Sequence, residues 1–183
     1  MSPKFARLGL IASSTLFFAA AGQRALAGPP VGHLGDQFRL AQAAPSVAIL
    51  PPANSGVIRV ESAVSFDETI ARIQQSVAAK GIRFFDNIDQ SQLAAGAGIA
   101  LRPSHLLIFG NPPLGIKFLT SNPYAGLDWP VRMLVTQDAE GKVWIAYTDF
   151  DWIARRYAIA NRGADFKMAS EVAASIAASA AKP

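Results

Sequence analysis

The strongest constraint on the fold is a pair of alternating segments on either side of a short turn. Residues 131–137 (VRMLVTQ) and 142–149 (KVWIAYTD) alternate apolar and polar side chains, and the four residues between them (DAEG) end in Gly141. This alternation is typical of strands with one buried face, and a glycine here suits the positive φ of a bulged turn. The segments therefore predict an antiparallel hairpin. The side chains expected to share one face are Val131, Met133 and Val135 with Val143, Ile145 and Tyr147.

Two more alternating segments and one continuous apolar run extend this sheet. Residues 56–63 (GVIRVESA) and 82–88 (IRFFDNI) have the period of strands. In the second segment, Ile82, Phe84 and Ile88 are expected on one face, and Arg83, Phe85 and Asn87 on the other. The run HLLIFG (105–110) is apolar on both faces, which is typical of a central strand.

Helical patterns lie between and after these strands. Residues 65–81 begin with a Ser-x-x-Glu capping box, carry apolar residues at helical spacing and end at a glycine. A short helix is predicted at 90–95, and two more at 150–157 and 164–181.

Together these elements predict an α+β domain of order β-α-β(4)-α, a largely antiparallel sheet with helices packed on one face. The other face is expected to be a mixed aromatic and basic surface. Its members are Arg59, Arg83, Phe85, Arg132 and Trp144. Such a surface is unusual if left bare, which favours a homodimer through this open sheet face. The alternative is a monomer in which the arginine stems shield the aromatic rings.

The N-terminus has the features of an export signal. Residues 1–27 combine basic residues at Lys4 and Arg7 with an uncharged apolar run (8–21) and small residues before a cleavage site after Ala27. A membrane anchor is the alternative, but the run is shorter than the roughly 20 residues that span a bilayer. The sequence therefore predicts a periplasmic or secreted protein with no stable membrane span after cleavage.

Composition narrows the partners that the mature chain could bind. Three of the 17 basic residues lie in residues 1–27, so the remaining 14 nearly balance the 13 acidic residues. No basic stripe is left for nucleic acid. The absence of cysteine excludes disulfides and thiolate metal sites. Residues 28–55 contain five prolines, which predicts a Pro-rich tether.

Four short blocks of the sequence resemble the domain of unknown function 302 family. They are LRP (101–103), GNP (110–112), DWP (128–130) and GKVWIAYTD (141–149). The resemblance places a domain at 56–160, before an Ala-rich C-terminal helix at 161–183. It implies a TATA-binding-protein-like fold that is often dimeric and has no established activity.

The chain departs from the family pattern at two positions. The family usually reads Ile-Asp-His where residues 88–90 are Ile-Asp-Gln, and it often has a histidine near the position of Tyr157. Glutamine and tyrosine can form hydrogen bonds, but neither titrates near neutral pH. Any metal-binding or proton-transfer role of those histidines is therefore not expected in this chain.

The stretch LLIFGNPPLG (106–115) has two interpretations. It has the glycine spacing of a phosphate-binding loop, but Ile116 occupies the position of the required lysine, and Lys117 comes one residue late. The alternative is a strand that ends at Gly110, followed by a helix that Asn111 caps and that has proline in its first turn. The helix cap is the preferred interpretation, and the anion site is the alternative.

Five polar residues at strand ends or loop entries form a candidate cleft between sheet and helices. They are Asp89, Asn111, Asp128, Arg155 and Arg156. An aspartate near an arginine is more often an ion pair than a catalytic dyad. His105 is the only histidine of the domain and is expected to be a hydrogen-bonded side chain at a sheet edge, so we predict no metal site. No cofactor is predicted either.

Three functions are compatible with these features. The preferred one is a non-catalytic module that binds a small ligand or a partner protein. The second is a small enzyme that uses Asp89 or Asp128 as a base and Arg155 or Arg156 to hold an anion, which requires burial to raise the carboxyl pKa. The third is an envelope structural or stress protein.

Overall fold

The computed structural model describes residues 50–183, and these residues contain a five-stranded sheet with helices. The strands are β1 (Val57–Ser62), β2 (Arg83–Asp89), β3 (Ser104–Gly110), β4 (Val131–Gln137) and β5 (Val143–Thr148). The helices are α1 (Phe66–Ala79), α2 (Gln90–Gly96), α3 (Pro112–Ser121), α4 (Phe150–Arg156) and α5 (Gly163–Ala181), with a 3-10 turn at Pro123–Leu127. The predicted signal and the tether up to residue 49 lie outside the described residues.

The sheet has the order β1-β5-β4-β3-β2, and every neighbouring pair is antiparallel. Helices α1 and α5 pack against each other and against strands of the sheet. The predicted α+β fold is confirmed. β3 is an interior strand as expected, although β4 occupies the middle of the sheet.

Local sequence signals form the elements that they predict. The Ser65 hydroxyl accepts a hydrogen bond from the Glu68 amide at the start of α1, and Gly81 has φ of 64° just after its end. In the β4–β5 hairpin, Gly141 has φ of 82°, and Val135 pairs with Ile145 in the core. The helix cap and the bulged turn are both confirmed.

The predicted faces of β2 are partly wrong because the strand contains a bulge. The pairing register shifts between Phe84 and Asp86, so Phe85 has no pairing partner on β3. Phe84 pairs with Phe109 of the core, but beyond the bulge Asn87 takes the helix side and Ile88 the opposite side. A one-residue bulge reverses the alternation for the rest of a strand.

The C-terminal helix α5 forms part of the same core as the sheet. It presents Phe166, Ala169, Ala173, Ile176 and Ala177 as buried residues. The Phe166 ring stacks on Phe118 of α3 with 4.2 Å between ring centroids. The small alanine side chains allow the helix to approach its neighbours closely. The domain boundary at residue 160 stays a prediction.

Candidate functional site

A buried carboxylate connects three elements at one end of the sheet. Asp128 follows the 3-10 turn, and only 5% of its side chain is exposed. Its Oδ1 accepts a hydrogen bond from Arg132 Nη2 at 2.7 Å. Its Oδ2 accepts bonds from Arg156 Nη1 at 3.1 Å and from the Tyr157 hydroxyl at 2.7 Å. We refer to these four residues as the Asp128 cluster.

The end of α4 supplies two members of the Asp128 cluster. At the start of this helix, the Asp149 carboxylate accepts a hydrogen bond from the Asp151 amide. Arg155 and Arg156 lie in its last turn. Arginines are favourable there because carbonyl groups give a helix C-terminus negative partial charge. The Arg156 guanidinium also lies 5.1 Å from the centroid of the Trp152 ring. The helix therefore directs Arg156 towards Asp128.

The hydrogen bonds of the Asp128 cluster determine what it can do chemically. Burial of Tyr157 and its hydrogen bond to Asp128 raise the pKa of the phenol, so the hydroxyl stays a donor at neutral pH. Both carboxylate oxygens of Asp128 accept charged hydrogen bonds, which are stronger than neutral ones. A carboxylate held in this way is a poor general base, but it fixes two guanidinium groups in place.

Asp89 lies at the opposite end of the sheet from Asp128. Its Oδ1 accepts bonds from the Ser91 hydroxyl at 2.6 Å and the Gln92 amide at 2.8 Å, and it caps α2. Its Oδ2 is 3.3 Å from Nε2 of His105, whose Nδ1 lies 3.0 Å from Asn87 Oδ1. The Ser91 and Gln92 hydrogen bonds lower the pKa of Asp89, which weakens it as a base.

Arg155 and Asn111 also lie outside the Asp128 cluster. The side chain of Arg155 is 69% exposed and lies 3.9 Å from Asp149. Asn111 Oδ1 accepts the Leu114 amide at 3.4 Å, with proline in the first turn of α3. The helix-cap interpretation of Asn111 is confirmed. Of the five predicted site residues, the structure brings together only Asp128 and Arg156.

Sequence reasoning missed two members of the Asp128 cluster. Tyr157 directly follows Arg156, and its burial indicates a partner for its hydroxyl. Alternation along the strand places Arg132 on the open sheet face, and its side chain reaches Asp128 from the start of β4. Asp128 and Arg132 are four residues apart, which is the spacing of an ion pair on a helix. The two residues do not lie in one helix, so this spacing gave no reason to pair them.

A small apolar cavity of about 40 Å³ is lined by Trp129, which follows Asp128 in the chain. The indole of Trp129 lines it and packs directly against Gly110 and Gly115. Asn111 is its polar lining residue, and Phe109 and Phe118 are among the apolar ones. A space of this size accommodates a few atoms, not a drug-sized ligand.

The face of the sheet opposite the helices, here called the open face, carries a row of apolar side chains. Register pairs Ile88 with Leu106, Leu106 with Leu134, and Leu134 with Ala146 across four strands. We call these four residues the apolar row. None of them belongs to the core of the described residues. Arg59 continues the row on β1.

Charged and aromatic residues surround the apolar row. The Arg59 guanidinium lies 3.9 Å from the centroid of the Trp144 ring, whose Nε1 donates to Asp138 Oδ2 at 2.7 Å. At the opposite edge, Asp86 pairs with Ile108 and so lies on the open face of β2. Arg59 on β1 and Asp86 on β2 thus carry opposite charges at the two edges, although Glu61 also lies on the open face of β1 and Arg83 on that of β2.

Within residues 50–183 no group of three or more His, Cys, Asp or Glu side chains is arranged to hold a metal ion. None of the helices formed by these residues has the length and apolar character needed to cross a membrane.

Comparisons with known proteins identify relatives of the domain. The model of the family described as Domain of unknown function DUF302 matches residues 58–182. The crystal structure of an uncharacterized conserved protein DUF302 from Bacillus stearothermophilus matches with a TM-score of 0.63 and 16% identity. That match covers 69% of this chain and 98% of the other. At this identity the likeness shows the fold alone.

Curated relatives carry the names of ion channels. The chain is 38% identical over 106 residues to "Fluoride-specific ion channel FluC 1" of Brucella suis, covering 58% of this chain and 42% of that protein. The same identity and length hold for "Fluoride-specific ion channel FluC 2" of Brucella melitensis, of which 39% is covered. The match thus spans about two fifths of the length of these relatives.

Proposed function

The chain belongs to the Domain of unknown function DUF302 family. From that premise we propose that it is an exported, non-catalytic module. We further propose that it associates with a second copy of itself through the open face. The observation that carries the proposal is the apolar row. Four neighbouring apolar side chains cross the sheet on the side without helices. These four side chains are partly exposed, and apolar patches at a protein surface are typical of interaction sites.

The positions of Arg59 and Asp86 on the open face support a specific arrangement. A two-fold axis parallel to β4 places β1 of one copy over β2 of the other. Arg59 then lies near Asp86 of the second copy, twice per dimer. A two-fold axis across the strands would instead bring Arg59 over its own counterpart, and like charges repel. We therefore choose the first arrangement.

The geometry of the two candidate bases favours a binding role over catalysis. Both oxygens of Asp128 accept hydrogen bonds, and Asp89 caps a helix with a lowered pKa. A general base near neutral pH needs a raised carboxyl pKa and a free lone pair. The pKa of Asp89 is lowered, and three hydrogen bonds already occupy most of the lone pairs of Asp128.

Export is the proposed cellular context of the module. It rests on the basic start, apolar run and small-residue cleavage site of residues 1–27. Intact mass spectrometry of the protein recovered from its own cells should give a chain that begins at Gly28. A mass that retains Met1 would contradict export by a cleaved signal.

Sedimentation velocity tests the self-association. The wild-type protein should sediment as a dimer, whereas Leu134→Glu buries a charge in the apolar row and should sediment as a monomer with an unchanged circular dichroism spectrum. Ala174→Glu, on the exposed side of α5, is the matched control and should stay dimeric. A wild-type protein that stays monomeric at high concentration would contradict the proposal.

The curated relatives favour a second candidate function, which is assistance to fluoride transport. Its basis is the 106-residue match to proteins named as fluoride-specific ion channels. Cells that lack the gene should then grow less well than wild type on sodium fluoride. Equal growth on fluoride would remove this candidate.

A further inference from the structure

The Asp128 cluster carries more positive charge than its buried carboxylate neutralises. Arg132 and Arg156 both bind Asp128, and Tyr157 contributes a neutral hydroxyl. The arginine side chains are 47% and 44% exposed, whereas that of Asp128 is 5% exposed. The cluster therefore presents a net positive charge to solvent.

Each guanidinium retains hydrogen-bond donors that the protein does not use. Arg132 donates from Nη2 alone, to Asp128 Oδ1 and to the Leu127 carbonyl at 2.9 Å. Arg156 donates from Nη1 alone. A guanidinium has five N–H donors. Two nitrogens of each side chain thus have no acceptor among residues 50–183. They are Nε and Nη1 of Arg132 and Nε and Nη2 of Arg156.

The two guanidinium groups are close together and held in place. Because they bind the two oxygens of one carboxylate, they lie within reach of one small ligand. Asp128 fixes both groups, and the Trp152 ring supports Arg156. A site whose side chains are already ordered loses less conformational entropy on binding.

We propose that Arg132 and Arg156 form a binding site for a small oxyanion, namely a carboxylate or phosphate group, with Asp128 as its positioning residue. The fork of N–H donors on arginine matches the oxygen spacing of both groups. Asp128 orients the guanidinium groups and cancels one of their two charges, so the site attracts a single anionic group. All its residues lie in one chain, so the site needs no residue from a second copy.

Titration followed by ¹⁵N NMR of the arginine Nε–H groups tests the site on the whole mature chain. Sodium acetate and inorganic phosphate are added separately, at constant ionic strength maintained with sodium chloride. The Nε–H signals of Arg132 and Arg156 should shift and saturate, while that of Arg155 should not. Saturation with both anions supports a general oxyanion site, and saturation with one identifies its class. A linear, non-saturating response to both would overturn the proposal.

Three substitutions complete the test. Arg156→Gln removes one fork and should weaken binding at least about tenfold. Arg155→Gln is the matched control, because the neighbouring arginine contacts Asp149 and should leave binding unchanged. If Arg156→Gln fails to fold, Arg156→Lys retains the charge without the fork and should still bind several-fold more weakly. Wild-type affinity in the Arg156 variants would overturn the proposal.

Discussion

At the scale of single residues, the structure separates side chains that look alike in sequence. Asp89 is the last residue of β2 and Asp128 lies just before β4, but Asp89 caps a helix and Asp128 binds two arginines. Arg155 and Arg156 are neighbours, yet only Arg156 reaches Asp128. Adjacent residues of a helix point about 100° apart, so one of them faces the sheet end and the other faces solvent.

Asn111→Ala tests the cap of α3. The substitution removes the acceptor of the Leu114 amide and should lower the free energy of unfolding by about 1 kcal/mol. Urea denaturation measures the change. Asn161→Ala is the control, because Asn161 is exposed and its side chain makes no hydrogen bond within residues 50–183. Equal midpoints for the wild type and Asn111→Ala would count against the cap.

At the scale of elements, sequence signals predict the helices and most strands well because those signals are local. The Ser65 cap, the Gly81 end and the Gly141 turn each depend on a few neighbouring residues. The bulge at Phe84 and Asp86 was missed because it depends on how β2 pairs with β3. The Asp128 cluster was found only in part for the same reason, since its members come from different elements.

Gly115→Ala tests the packing of α3 on Trp129. An alanine normally stabilises a helix interior relative to glycine by about 1 kcal/mol. Here the added Cβ would overlap the Trp129 indole, so we expect a net destabilisation of about 1–3 kcal/mol. Gly96→Ala is the control, because no atom outside its chain neighbours and the backbone of its own helix lies within 4 Å of the new Cβ. It should be neutral or stabilising in the same urea titration.

The anchoring of α2 by Asp89 should depend on pH. Its pKa lies below the ordinary value of 3.8 in the folded protein, so its stabilising contribution is present above that value. The contribution is lost as the pH falls through the folded-state pKa. The stability difference between wild type and Asp89→Asn, obtained from urea midpoints, should therefore shrink as the pH is lowered from about 6 to about 3. A constant difference would contradict this role, and Glu140→Gln, in an exposed turn, is the control.

At the scale of the whole molecule, helices cover one sheet face and leave the apolar row on the other. The sequence predicts both the open face and its charged and aromatic members, and register confirms the placement of Arg59 and Trp144. The apolar row itself was not predicted. Its members come from four strands, and the β2 bulge places Ile88 in the row. Only the assembled sheet brings these residues together.

A charge exchange tests the proposed two-fold arrangement. Arg59→Asp and Asp86→Arg each place like charges across the proposed interface and should weaken the dimer. The double variant restores opposite charges and should recover dimerisation in sedimentation velocity. Recovery distinguishes a direct pair from separate effects on folding. A double variant weaker than both single variants would contradict the arrangement.

Pulsed electron paramagnetic resonance tests most directly whether two open faces meet. The chain has no cysteine, so Ala174→Cys places a single spin label on the exposed side of α5 in each copy. Face-to-face sheets leave the helices outside, with roughly 30 Å or more between the two α5 axes. We predict one long intermolecular distance that disappears when Leu134→Glu is added. No intermolecular distance, or a short one from helix-to-helix contact, would contradict the account.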